Sequence, residues 1–259
     1  MKMNQKRTNE SLKSKYNDIF DKGAYKNYFT FNSYSIFEAI LSTTSWEEKK
    51  VLDIGCGEGD LTAMIAFAGA KKVDGIDYSN KAISLANEKL NISNVEFFHK
   101  DADTVKGRYD AIVMAGVLEH MDKPFSLIDK LIKENLNKGG KIITASPSFL
   151  NPRGYVWMTL QMLLDVPMSL SDIHFFSPSD FNNFAESRGL KVSMFSIDHD
   201  WGGGNRTILD FKKRLVNALK DKGLNNKNVP EFLEWLKESI DYFNHDDNSG
   251  AITITSIYK

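Results

Sequence analysis

Spaced glycines, a following aspartate and three histidines are the groups in this chain whose types and spacing suggest chemistry. Residues 51–60 read Val-Leu-Asp-Ile-Gly-Cys-Gly-Glu-Gly-Asp. Val51, Leu52 and Ile54 have the apolar character of a buried parallel strand, and an apolar run starts at Leu61. Gly55, Gly57 and Gly59 lie between them. Glycines serve where a backbone must turn sharply and admit a ligand closely. A strand, a glycine turn and a helix N-terminus together make a nucleotide-cofactor site. Asp77 ends the next predicted strand, where a carboxylate can accept both hydroxyls of a ribose. A helix cap is its other reading, but Ser79 fills that role better.

Histidine titrates near working pH and suits proton removal from a hydroxyl or a protonated amine. Of the five histidines, His120 follows a predicted fourth strand, at the end of the sheet where ligands bind. Its alternative is a packing residue beneath the cofactor loop. His199 lies between Asp198 and Asp200, which would raise its basicity, or it belongs to a plain polar turn. His99 ends a strand, and His245 lies in an acidic loop. Gly202-Gly203-Gly204-Asn205-Arg206 could turn several N–H groups and a guanidinium toward an anion on the acceptor. It could equally be a hinge. Trp201, Gly203, Asn205 and Arg206 are the acceptor-side candidates from this stretch.

Gly-x-Gly-x-Gly preceded by Asp-Ile closely resembles motif I of the class I S-adenosylmethionine-dependent methyltransferases. A dinucleotide fingerprint would need a glycine where Asp60 stands. Lys100-Asp101-Ala102-Asp103 resembles the family's acidic motif. In that motif an Asp accepts from the adenine amino group and the next N–H donates to the ring. Asp101 and Ala102 fit by position, with Asp103 as competitor. Leu118-Glu119-His120 resembles the small-molecule branch that includes ubiquinone-type O-methyltransferases. Asp172-Ile173-His174-Phe175-Phe176 resembles a lid segment of that branch near the acceptor, with His174 as an acceptor-side or structural residue. The resemblance runs from about Val51 to about Ile197. It implies a cofactor site of Asp53, Gly55, Cys56, Gly57, Asp77, Tyr78, Asp101, Ala102 and Ala115. The implied cofactor is S-adenosyl-L-methionine, with S-adenosyl-L-homocysteine as product. His199, then His120 and His174, are the expected bases. Two other readings remain: a nicotinamide-dependent oxidoreductase, and a catalytically silent cofactor-binding scaffold for a partner subunit.

The rest of the sequence sets bounds. Its 259 residues carry 33 Lys plus Arg against 34 Asp plus Glu, a balance that argues against holding a long nucleic acid. The single cysteine excludes an intrachain disulfide and a thiolate zinc cluster. It lies in the glycine loop, so it cannot be the nucleophile that cytosine-C5 methylation needs after strand four. No carboxylate cluster suggests a catalytic metal. No apolar run is long enough to span a bilayer and none opens the chain as a signal, so a cytoplasmic protein is expected. The expected acceptor is a small polar molecule, anionic or sugar-like, methylated most readily on oxygen, with nitrogen left open.

Alternating strand and helix patterns predict an α/β fold, a parallel sheet with helices on both faces; the resemblance implies a Rossmann-like seven-stranded methyltransferase sheet with six parallel strands and one antiparallel. Strands are expected at Lys72–Asp77, Val95–His99, Tyr109–Met114, Lys141–Ser146, Leu190–Ile197 and Ala251–Tyr258, with Gly139-Gly140 ending a helix and another helix over Asp180–Ser187. The expected organisation is one domain over 1–259: an N-terminal helical cap (1–44), a cofactor-binding core (45–200) with a lid insertion (149–177), a helical insertion (201–248) and the last strand (250–258). The extra helices are expected to cover the acceptor or to form a homodimer contact.

Overall fold

A computed structural model describes residues 33–166 and 172–259. The expected helical cap before Ser33 and the middle of the lid insertion lie outside the described residues. Seven strands form one sheet: β1 Lys50–Ile54, β2 Lys72–Asp77, β3 Val95–His99, β4 Tyr109–Ala115, β5 Leu136–Pro147, β6 Lys191–Ile197 and β7 Ile252–Tyr258. Their order is β3-β2-β1-β4-β5-β7-β6. β7 runs antiparallel to both β5 and β6. The strand order reverses direction between β1 and β4, so the crevice between their carboxyl ends is where such a sheet binds ligands.

Alternation within the strands separates two apolar layers. Val51 packs on one face with Ile40 of α1 (Ser33–Leu41) and with Leu61 and Ile65 of α2 (Asp60–Phe67). Leu52 and Ile54 pack on the other face with Leu127, Ile128 and Leu131 of α4 (Pro124–Glu134). Phe181 and Phe184 of α6 (Pro178–Glu186) join that face. α3 (Asn80–Lys89) starts at Ser79, whose hydroxyl accepts from Ala82 N at 3.3 Å, the cap its sequence implies.

The helical additions build a third apolar cluster of their own. Trp157 of α5 (Pro152–Leu164) packs there with Phe211 and Leu215 of α8 (Asn205–Asp221). Leu236 and Ile240 of α9 (Val229–Ile240) complete it.

Beyond shifts of a residue or two at element ends, two larger differences from the sequence reading are seen. The helix before β5 ends at Glu134 rather than at Gly139-Gly140. Asn135 explains this: its carbonyl takes Tyr109 N at 2.8 Å, and its side-chain amide donates to Gly107 O at 2.9 Å. The chain thus joins the sheet early, and Gly139, with φ of 78°, turns inside the extended strand. The glycine run also differs, because His199–Gly203 forms a short helix, α7.

Candidate active site

The glycine loop is built as its sequence demands. Gly55, Gly57 and Gly59 have φ of 73°, 55° and 85°, which side chains other than glycine adopt at a cost. A Cβ on Gly55 would stand 2.4 Å from Val117 Cγ2, so only glycine lets this loop meet the turn after β4. A Cβ on Gly57 would meet nothing within 4 Å, so the loop's outer side is open. Asp77 holds the loop to β2: Oδ2 accepts from Gly57 N at 3.1 Å and Oδ1 from Ser79 N at 2.8 Å. Burial raises the Asp77 pKa, and these amide bonds oppose that rise.

Asp53 lies beneath the loop, fully buried, and accepts from Thr62 Oγ1 at 2.7 Å. Burial pushes its pKa up to about 7. The Cys56 side chain turns inward: its Sγ lies 3.2 Å from where a Cβ on Gly75 would stand. Only the backbone of Cys56 is therefore placed to serve a ligand. Tyr78 is half-buried, and its carbonyl accepts from His99 Nε2 at 2.9 Å. Asp101 and Asp103 are both exposed, in and before a one-turn 3₁₀ helix that starts at the half-buried Ala102. Ala115 ends β4 opposite Ala145 of β5.

The turn after β4 is a second one-turn helix, Leu118–His120. Backbone N–H groups of Ile173 and His174 both donate to the Glu119 carbonyl, at 2.8 and 3.1 Å. The lid segment is thereby fixed to the turn. His120 Nδ1 lies 3.4 Å from Asp172 Oδ1. His174 Nε2 donates to the Met121 carbonyl at 2.7 Å, and its ring stacks on Phe176. The Glu119 side chain points inward, with Oε2 3.4 Å from Ser146 Oγ. Burial, and then the nearby Asp172 carboxylate, push its pKa up to about 8, so it is mostly neutral at pH 7. Glu119 and Asp172 were absent from the residues expected at the site. The Leu-Glu-His triplet and the Asp two places before His174 were the available signals.

Of the three expected histidines, the structure brings together His120 and His174, through the Glu119–Met121 turn. His199 stands elsewhere. It follows β6, the outermost strand, three strands from β4, or roughly 14 Å at usual strand spacing. Its Nε2 donates to Asp246 O at 3.0 Å, and its ring meets His245 edge-on.

The glycine run is packed, not open. Gly202 N donates to Asp198 O, and Gly204 N to Asp200 O. Cβ atoms on Gly202 and Gly203 would meet Ser249 O at 2.4 Å and Phe243 or Pro152 at 3.1 Å. Trp201 is buried beside Arg153. Arg206 pairs with Asp200 at 3.3 Å, and Asn205 opens α8. In the expected anion cradle the Gly202 and Gly204 amides and the Arg206 Nε therefore already have partners. Close packing of a short helix is the physical reason for the consecutive glycines.

A shallow cavity of about 360 Å³ lies beside the lid, lined by Lys123, Phe125, His174 and Phe176 among others. No residue of the glycine loop lines it. Among the described residues, no group of three His, Cys, Asp or Glu could hold a metal ion. No described helix is long and apolar enough to cross a membrane.

This sheet order, with β7 reversed beside β5 and a glycine loop after β1, defines the S-adenosylmethionine-dependent methyltransferase fold. The family described as "Methyltransferase domain" matches residues 28–193, and this chain belongs to it. The chain is 30% identical over 155 residues to a ubiquinone biosynthesis O-methyltransferase of Acinetobacter baylyi. That match covers 56% of this chain and 64% of the relative, less than two thirds of its length. A ubiquinone biosynthesis O-methyltransferase of Dechloromonas aromatica is 29% identical over 184 residues, covering 65% and 78%. Among solved structures, a methyltransferase complexed with the Haloferax volcanii Trm112 activator superposes with a TM-score of 0.63 at 14% identity. It covers 94% of this chain and 96% of that one. The DhpI-SAM-HEP complex gives 0.62 at 15% identity, covering 99% and 100%. The fold's cofactor is S-adenosylmethionine, and the open side of Gly57 beside the buried Asp77 carboxylate fits it.

Proposed function

We propose that this chain transfers a methyl group from S-adenosylmethionine to a hydroxyl oxygen of a small polar molecule, with His120 as the base. The observation that carries this reading is the His120–Asp172 pair at the carboxyl end of β4, beside the strand-order switch. Asp172 at Nδ1 favours the tautomer whose lone pair is on Nε2, the nitrogen that would take the acceptor's proton. His174 bonds the Met121 carbonyl and steadies the turn.

S-adenosylmethionine, when bound, supplies a cationic sulfonium that is already a good methyl donor and leaving group. The protein's own work is then alignment, exclusion of water and removal of one proton. Asp77 would hold the ribose hydroxyls, Asp101 and the Ala102 N–H the adenine, and the Gly55–Gly57 backbone the remainder, close to Tyr78 and Ala115. Asp53 and the Cys56 thiol act from beneath by holding the loop.

The acceptor side favours a neutral hydroxyl over an anion. The Asp172 carboxylate stands against His120, while Arg206 is paired with Asp200. The relatives named ubiquinone biosynthesis O-methyltransferases favour oxygen as the acceptor atom.

The test is incubation with tritiated S-adenosylmethionine and a fractionated metabolite extract. Label is expected in a small-molecule fraction, and His120→Gln should remove most of it. Label confined to tRNA or protein would overturn the acceptor class. Cofactor binding without product from any fraction would favour a silent scaffold.

A further inference from the structure

The helix pair α8 and α9 carries two exposed faces of opposite charge. Residues 222–228 join the two helices, and so short a connection makes them antiparallel neighbours. Phe211 of α8 packs against Phe232 of α9. α8 turns Phe211, Leu215 and Leu219 inward, and α9 turns Leu236 and Ile240 inward. Leu209, Lys213, Val216 and Lys220, at i, i+4, i+7 and i+11, share the outer face of α8, with Lys212 beside them. Leu209 is 63% exposed, and no exposed carboxylate stands between Leu209 and Lys220. Glu231, Glu234 and Glu238 share the outer face of α9 with Trp235, which is 60% exposed. Tyr242, 87% exposed, follows one turn beyond Glu238. Lys237 is the one basic residue of α9. Among the described residues, none of these three lysines and three glutamates on the outer faces has an ion-pair partner. A surface that serves only solubility mixes the two signs. Here they are sorted by helix, and large apolar side chains stand among them in water.

We propose that two copies of this chain associate through this helix pair, the basic face of α8 in each copy docking on the acidic face of α9 in the other. Leu209 and Val216 then meet Trp235 and Tyr242, and the lysines meet the glutamates. The charge pattern selects the symmetry. A two-fold axis running along the helix pair lays α8 of each copy over α9 of the other. An axis running across the pair would set lysines on lysines and glutamates on glutamates. An anionic lipid surface would suit α8 alone, but it would repel the glutamates beside it. A second copy satisfies both faces at once. A face about 25 Å long and two helices wide buries roughly 1,000 Å² in total, at the low end for specific interfaces. A salt-sensitive dimer of micromolar affinity is therefore expected.

The test is analytical ultracentrifugation of the full chain over a concentration series, in low and in high salt. The parent should rise to twice the mass of one chain and no further, and added salt should weaken the association. K212E/K213E makes both faces acidic, and E234K/E238K makes both basic. Each variant alone should self-associate more weakly by roughly 10-fold or more, since like charges then meet. All four positions are exposed, so thermal melting should stay near the parent's. An equimolar mixture of the two variants should dimerise again, because each acidic face then meets a basic one. K212E/K213E/E234K/E238K, with both faces reversed, should self-associate like the parent. Should a charge reversal unfold the chain, K212Q/K213Q should still weaken association, and unchanged affinity there would refute the contact. A parent that stays monomeric, reversed variants that dimerise as the parent does, or a mixture that stays monomeric would overturn the proposal. Growth beyond two copies would overturn the reciprocal arrangement. A monomeric parent that cosediments with phosphatidylserine vesicles would make α8 a lipid-facing surface instead.

Discussion

Asp77 performs two tasks with one carboxylate, and both are measurable. It accepts Gly57 N and Ser79 N, and each oxygen has a further lone pair to offer a ribose hydroxyl. Asp77→Ala should weaken S-adenosylhomocysteine binding by roughly 1.5–3 kcal/mol, the range for hydrogen bonds to a charged group. Calorimetry would read this as a loss of about 10- to 150-fold, and unchanged affinity would refute the ribose assignment. Asp77 was legible because its spacing from the glycine loop is a local property of a strand–turn–helix unit. The Asp172 partner of His120 was not, because it arrives from a distant segment that only the folded lid brings near. Flanking carboxylates made His199 the more attractive base in the sequence, yet chain neighbours do not decide what a ring faces. In the fold that ring meets Asp246 and His245. His120→Gln should therefore reduce turnover roughly 100-fold, as for loss of a general base, with cofactor affinity unchanged. His199→Gln should stay within a few-fold of the parent. Steady-state kinetics on the labelled acceptor would reverse this ranking if His199→Gln were the more damaging.

At the scale of elements, strands announced themselves and irregular connections did not. Val51, Leu52 and Ile54 put apolar side chains on both faces of β1, because helices cover both sides of the sheet. β5 starts at Leu136, before the expected start at Lys141, since the hydrogen bond between Asn135 and Tyr109 recruits a polar stretch that periodicity assigns to the helix end. The triple glycine was misleading for a related reason. Composition cannot separate a flexible hinge from a helix pressed against its neighbours. In α7 the second meaning holds, because Gly202 stands against the Ser249 carbonyl and the Asn151 side chain. The two meanings predict different outcomes for Gly202→Ala. An anion-binding loop would lose acceptor affinity while keeping its melting temperature. A packed helix must shift backbone against backbone, so a loss of about 1–3 kcal/mol in stability is expected. Thermal denaturation of Gly202→Ala beside Gly57→Ala, whose added Cβ meets open space, separates them. At Gly57 only the strain of a positive φ remains, so the smaller loss belongs there. The opposite order would restore the hinge reading.

For the whole molecule, the site's burial becomes a dependence of stability on pH. Glu119 has its folded pKa pushed from 4.5 up to about 8, and Asp53 from 3.8 up to about 7, both chiefly by desolvation. An acid raised on folding is destabilising once the unfolded chain ionises it. The full stability is present below the unfolded pKa, near 4, and is lost as pH rises through the folded value. For Glu119 alone the integrated loss is on the order of 5 kcal/mol. Asp210 works the other way. Burial tends to raise it, but Arg153 and Arg214 outweigh burial and hold it low. Its contribution is present above its unfolded pKa and lost as pH falls through the folded value. The two effects place the stability maximum on the mildly acid side of neutrality. Glu119→Gln keeps the side chain's size and its neutral state while removing the titration. Between pH 5 and 8.5 the parent's melting temperature should fall more steeply than that of Glu119→Gln, and the variant's optimum should lie at higher pH. Superimposable pH–stability curves would mean that Glu119 is solvated enough to ionise in the folded state. It would then face His120 as a second carboxylate beside Asp172, and the imidazole would be more basic than a single ion pair makes it.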